Sequence, residues 1–166
     1  MRALLAGALV AGLGRSMLIR LILRKLRSDV ARLSEGDYGP LLSGYDENAV
    51  LHFNDGEHRW AGEHRGKAAI ERFLQDFVGA GVRGEILSLW IGGPPWAMTL
   101  VVRFDDRADG PGGERIYENR TVLVARTRWG RIVEQWDYYE DTARILAFEQ
   151  RLRELQIAPD RSPVTH

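Results

Sequence analysis

The chain has 166 residues, with 23 Lys and Arg balanced by 23 Asp and Glu, 45% hydrophobic residues and no cysteine. That is enough for one globular domain whose core can close around a cavity, and too apolar for a disordered chain. The missing thiols exclude disulfides, thiolate metal sites and cysteine nucleophiles, and a net charge of zero offers nucleic acid no bulk attraction, so no nucleic-acid partner is expected.

The charge is unevenly spread. Residues 1–33 hold Arg2, Arg15, Arg20, Arg24, Lys25, Arg27 and Arg32 against Asp29 alone. Ala3 to Gly14 is an unbroken apolar and glycine run, too short to span a bilayer, and Arg15 and Arg20 interrupt any longer one. Residues 1–16 therefore stand apart as an N-terminal extension. Three readings stay open for them: a signal for export, a membrane-surface segment continuing into the basic helix through residue 33, or a start assigned too early with Met17 as the first residue. The expected location is cytoplasmic, with membrane-surface attachment or export as alternatives.

From Met17 to Ser34, Leu18, Ile22, Leu26, Val30 and Leu33 follow helical spacing. Gly36, Gly39 and Pro40 stop this helix, and Leu41 to Tyr45 form a short helical turn. Ala49 to Asn54 alternates as a strand. Asp55 to Gly66 reads as a loop with at most a short strand near Arg59 to Ala61. A helix follows from Lys67 to Val78, with Ile70, Phe73, Leu74 and Phe77 on one face. The pattern then changes to period two. Glu85 to Ile91, Trp96 to Asp105, Arg115 to Arg126 and Arg131 to Tyr139 are strands joined by short polar or glycine-rich turns, the signature of an antiparallel meander. A last helix spans Thr142 to Leu155, with Asp141 as its expected N-cap, and residues 157–166 form a tail. Helices followed by four long strands predict an α+β domain over residues 17–156: a cone-shaped, curved antiparallel sheet wrapped around N-terminal helices, with a C-terminal helix.

This order, together with Gly36-Asp37-Tyr38, the GKAAIERF segment at 66–73 and GRIVEQWDYYEDT at 130–142, resembles the nuclear transport factor 2-like superfamily. That group has a cystatin-like fold and includes SnoaL-like polyketide cyclases, ketosteroid isomerases, scytalone dehydratases and limonene epoxide hydrolases. The resemblance implies a homodimer and a pocket for a small hydrophobic molecule. It implies cofactor-independent acid-base chemistry of the epoxide hydrolase, isomerase or cyclase type, or a non-catalytic binding or dimerisation module of the same fold. It places an epoxide hydrolase Arg-x-Asp on Arg103 and Asp105, a second aspartate on Asp137, and a water-holding Tyr-x-Asn on His52 and Asn54, with histidine replacing the tyrosine.

On the residues themselves, Asp137 lies inside a strand between Trp136 and Tyr138, where burial would raise its pKa toward neutrality and suit it to proton transfer. Arg103 and Asp105 share one strand face and are the candidate partners of Asp137. Strict alternation, however, turns Met98, Leu100, Val102 and Phe104 inward and this pair outward, unless a bulge resets the register or a dimer covers the outer face. His52 and Asn54 are candidate contacts to water or ligand, and Trp60, Trp90, Tyr117 and Trp136 are candidate aromatic walls. His58 and His64 with Glu57 and Glu63 match no metal motif, and no metal or other cofactor is expected.

Overall fold

The computed structural model describes residues 2–159. In chain order the elements are α1 (Arg2–Ser34), α2 (Gly39–Leu42), β1 (Tyr45–His52), β2 (Glu63–Arg65), α3 (Lys67–Gly79), β3 (Arg83–Gly92), β4 (Thr99–Asp109), β5 (Arg115–Arg128), β6 (Arg131–Tyr139) and α4 (Thr142–Glu154). The strands form one curved, unclosed sheet in the order β2-β1-β6-β5-β4-β3. The meander β3 to β6 is antiparallel, as its short connections require, whereas β1 pairs parallel to β6. The architecture is the expected α+β sheet with N-terminal helices and a C-terminal helix.

Boundaries differ where the sequence pattern was ambiguous. Tyr45 opens β1 instead of closing a helical turn, because its ring is buried in the core and its hydroxyl has a buried partner. The short strand expected near Arg59 to Ala61 forms at Glu63–Arg65, where it pairs with Val50 to His52. Trp96 lies in the turn before β4, and that strand runs on to Asp109, beyond the expected end at Asp105. Of the expected tail, Ile157 packs against the core and its carbonyl accepts from Arg59, and residues 160–166 lie outside the described residues.

Two apolar clusters fill the concave side of the sheet. One joins Tyr45, Leu51, Phe53 and Trp60 to Ile70, Phe73 and Leu74 of α3 and to Ile145, Phe148 and Leu152 of α4. The other joins Val30 of α1 to Ile86, Leu100, Val102, Phe104 and Ala125. Helix α1 runs antiparallel to β3. Val30 lies beside Gly84 at the strand's start, and Leu18 and Ile19 lie beside Ile91 and Pro95 at its end. Helix α4 begins where expected, since the Asp141 carboxylate accepts from the amides of Ala143 and Arg144.

Alternation along β4 holds without interruption. Leu100, Val102, Phe104, Asp106 and Ala108 are buried, and Thr99, Arg103, Asp105, Arg107 and Asp109 are exposed. The neighbouring strands absorb the irregularities, a bulge between Ile86 and Ser88 on β3 and, past Ala108, an extra residue on β5. Such a bulge shifts the register of its own strand and leaves the faces of β4 unchanged. This rule decides which acids enter the site.

Candidate functional site

Between the sheet and helices α1 to α3 lies a cavity of about 100 Å³. Its walls are apolar, built by Leu26, Val30 and Leu33 of α1, Leu41 of α2, Phe73 and Phe77 of α3, and Leu100, Phe104 and Leu123 of the sheet. Six polar side chains interrupt this lining: Tyr45, Asp106, Thr121, Gln135, Asp137 and Tyr139. All six come from β1, β4, β5 and β6, so the sheet supplies the chemistry and the helices supply the lid.

The polar groups form two connected sets. In one, the Tyr45 hydroxyl donates to Gln135 Oε1 at 2.5 Å, and Gln135 Nε2 donates to Asp137 Oδ1 at 2.8 Å. Gln135 and Asp137 are two apart on β6, which puts both on the inner face, and the amide bridges phenol to carboxyl. In the other, Thr121 Oγ1 donates to Asp106 Oδ2, and Tyr139 is hydrogen-bonded with Thr121. The ladder relates the two sets. Asp106 pairs with Asn119 and Asp137 with Leu123, so the two acids flank Thr121 on opposite diagonals of the same sheet face.

Burial sets their protonation. Desolvation pushes the Asp137 carboxyl from 3.8 up to about 7; the Gln135 hydrogen bond opposes this and the nearby Asp106 charge reinforces it. Desolvation also lifts Asp106, to about 6, against the stabilising bond from Thr121. No basic side chain among the described residues lines the cavity, so neither acid has a cation to hold it ionised. Desolvation likewise raises the Tyr45 and Tyr139 phenols, which are therefore donors at neutral pH.

Asp137 is the only sequence-predicted site residue in this lining. Arg103 and Asp105 are on the outer face, exposed, across the sheet from Asp137, because β4 keeps strict alternation. The arrangement that the epoxide hydrolase resemblance implies, with Arg103 bridging Asp105 to Asp137, is therefore not assembled within the chain. The acid delivered to the interior is Asp106, one residue further along. Sequence reasoning missed it, although the alternation that turned Phe104 inward also turns Asp106 inward.

The remaining candidates are also elsewhere. His52 is half-buried on the outer face, where it stacks on Trp136 with centroids 5.3 Å apart and lies 3.3 Å from both Glu63 and Glu134. Trp136 faces outward with it, beneath the Arg126 guanidinium, and Trp90 is exposed on the same face. Asn54 follows β1, and its backbone is hydrogen-bonded with His58. Trp60 and Tyr117 are core, both stacked on Phe148 of α4. Of the missed residues, Gln135 and Tyr139 lie within the GRIVEQWDYYEDT segment without an assigned role, and Tyr45 and Thr121 lie in no motif; the signal that turns Gln135 and Tyr139 to the side of Asp137 is strand periodicity. Among the described residues no cluster of His, Asp and Glu could hold a metal ion.

A curved, unclosed α+β sheet packed against N-terminal helices and a C-terminal helix is the architecture of the cystatin-like class of domains. Within that class the chain belongs to the SnoaL-like domain family, whose model matches residues 27–135. Solved structures agree on the fold. Bal32a, from a soil-derived mobile gene cassette, is 23% identical with a TM-score of 0.58, covering 77% of this chain and 93% of that one. TerC, crystallised with polyporic acid, is 18% identical with a TM-score of 0.63, covering 76% and 97%. A candidate isomerase from Bacillus subtilis is 25% identical with a TM-score of 0.56, covering 71% and 85%. No curated protein matches the chain.

Proposed function

We propose that the chain binds a small hydrophobic molecule in the α1–β6 hollow and moves protons on it without a cofactor. The observation that carries this reading is the placement of two buried acids, Asp106 and Asp137, on one sheet face of an apolar hollow whose described lining holds no cation, where desolvation raises both carboxyls. The two carboxyls titrate as a pair, and with one proton held between them the hollow presents one carboxylate and one carboxylic acid. One carboxylate is then available to take a proton, and one carboxylic acid to give one. Such a pair suits enolisation and reprotonation in an isomerase or cyclase step. It also suits epoxide opening, where the carboxylate draws a proton from water as the acid protonates the departing oxygen. Tyr45 and Gln135 position Asp137, and Thr121 positions Asp106. The similarity to a candidate isomerase supports the same class of reaction.

The cavity volume bounds the ligand. About 100 Å³ is below the roughly 300 Å³ of a drug-sized site, so a larger ligand displaces Leu26, Leu33 or Leu41 of the lid. The test is turnover of a panel of small cyclic enones and epoxides in deuterated or ¹⁸O-labelled water, followed by mass spectrometry. Asp137→Asn is expected to reduce label incorporation by about 10²- to 10⁴-fold. Unchanged incorporation removes the mechanism.

The outer sheet face supports a homodimer. His52, Trp136, Val124, Val101 and Trp90 form one cross-strand row over five strands, flanked by Tyr138 and Val122. Trp90, Tyr138 and Val122 are exposed large hydrophobics in the chain alone, the kind of contiguous apolar patch that monomers rarely leave open. Arg103 borders this row beside Val122, with Asp105 one position further out, so Arg103 becomes an interface residue in the dimer.

A further inference from the structure

The end of the sheet opposite the β4–β5 turn carries an unexplained feature. The β5–β6 turn reads Arg128-Trp129-Gly130-Arg131, and Trp129 is 79% exposed, the most exposed large hydrophobic side chain among the described residues. Both of its central residues have positive φ, 50° at Trp129 and 78° at Gly130. A two-residue turn of this kind favours Asn-Gly, and a bulky residue in the left-handed region is disfavoured. Trp129 therefore gains nothing in folding from either its backbone or its burial.

A second tryptophan sits beside it. Trp96, 54% exposed, occupies the β3–β4 turn, and its carbonyl accepts the Trp129 amide at 3.0 Å. Helix α1 reaches the same end, since Gly14, Leu18 and Ile19 border Gly93 and Pro95. Its Met17 and Leu21, one turn apart, are exposed. Basic residues predominate here: Arg126, Arg128 and Arg131 come from the sheet, and Arg20 of α1 lies within one turn of Leu18 and Ile19, with Arg24, Lys25 and Arg27 further along the helix and Lys25 paired with Asp29. Of the nearby carboxylates, Glu134 is paired with Arg126 at 3.2 Å, and Asp46 caps the Asn48 amide.

We propose that this end of the domain docks on an anionic lipid bilayer, with Trp96 and Trp129 at the headgroup level and the arginines against lipid phosphates. Tryptophan suits that depth because it offers an apolar ring with one polar N–H, and stable surface attachment takes an apolar and a basic signal together. Charge complementarity selects the anionic bilayer over a neutral one. Among the described residues no helix is long and apolar enough to cross a membrane, so the attachment proposed is peripheral.

The experiment is cosedimentation of the full chain with phosphatidylcholine vesicles and with vesicles containing phosphatidylglycerol, and tryptophan quenching by brominated acyl chains. Binding is expected to the phosphatidylglycerol vesicles only, with quenching, and to weaken in high salt. Arg128→Ser and Arg131→Ser are each expected to lower the partition coefficient roughly fivefold. Trp129→Asn, which gives the turn its preferred residue, combined with Trp96→Ser is expected to lower it at least tenfold with the far-ultraviolet spectrum unchanged. Three results overturn the proposal: no vesicle binding; binding that all these variants leave unchanged; or lipid-independent burial of the two rings in a dimer that Trp129→Asn with Trp96→Ser dissociates.

Discussion

Asp137→Asn tests the site before any substrate is known. In the folded chain burial raises the Asp137 carboxyl from 3.8 to about 7. Between those two pH values the native state therefore binds more protons here than the unfolded chain does, so stability is fully present below pH 3.8, falls as pH rises, and levels off above pH 7. At about 1.4 kcal/mol per pKa unit, the loss attributable to this one group is about 4 kcal/mol, a large part of the roughly 5–15 kcal/mol of an ordinary domain. Asparagine removes the titration and keeps an oxygen to accept the Gln135 amide bond. The assay is urea unfolding of both proteins at pH 4.5, 6 and 8. The variant is expected to match or fall slightly below wild type at pH 4.5 and to be more stable by up to about 4 kcal/mol at pH 8. Stability curves that run parallel across this range would show that residue 137 titrates as an ordinary solvated carboxyl, and both the pH argument and the catalytic reading would fail.

Turnover on any substrate of the site is expected to follow a bell-shaped pH profile with arms near 6 and 7, and Asp106→Asn is expected to lower turnover by about 10²- to 10⁴-fold; a flat wild-type profile counts against the acid-base pair. Arg59→Ala breaks a buried ion pair with Glu149 at 2.8 Å and is expected to cost about 3–5 kcal/mol by urea denaturation, with Arg59→Met plus Glu149→Leu recovering most of it. Asp141→Ala removes the α4 N-cap and is expected to cost about 1 kcal/mol. Val122→Asp places a charge in the outer apolar row and is expected to convert a dimer to a monomer by light scattering without changing the secondary structure.

The legible part of the fold is the part written in local periodicity. The meander, helix α3 and the Asp141 cap all follow from spacing within about fifteen residues, and their observed ends lie within a few positions of those expected. Pairings between distant segments leave no such trace. The parallel contact of β1 with β6 brings Tyr45 beside Ile132 and its phenol onto Gln135, a residue ninety positions away. A tyrosine at the end of an expected helical turn gives no local sign of that partner, so the link from Tyr45 through Gln135 to Asp137 stayed hidden although Gln135 and Asp137 sit in a correctly expected strand.

The acids are a different case, because the information was local and two signals conflicted. Motif resemblance favoured Arg103 and Asp105, whereas period-two alternation, set by four apolar residues in a row of inward positions, favoured the other face. Reversing the strand would have exposed Leu100, Val102 and Phe104, which are at most 9% accessible, at roughly 1.5–3 kcal/mol for each large side chain. A surface salt bridge contributes about 0–1 kcal/mol in return, so burial decides the register. The same count that rejects Asp105 carries Asp106 inside. Its cost of desolvation, visible in the raised pKa, is tolerated only because Thr121 donates to it and because protonation can relieve the charge. A pair of buried acids without a cation weakens the fold above neutral pH. Hence replacing both by asparagine should yield a more stable domain that has lost its proton chemistry, and a double variant that retained turnover would place the reacting groups elsewhere.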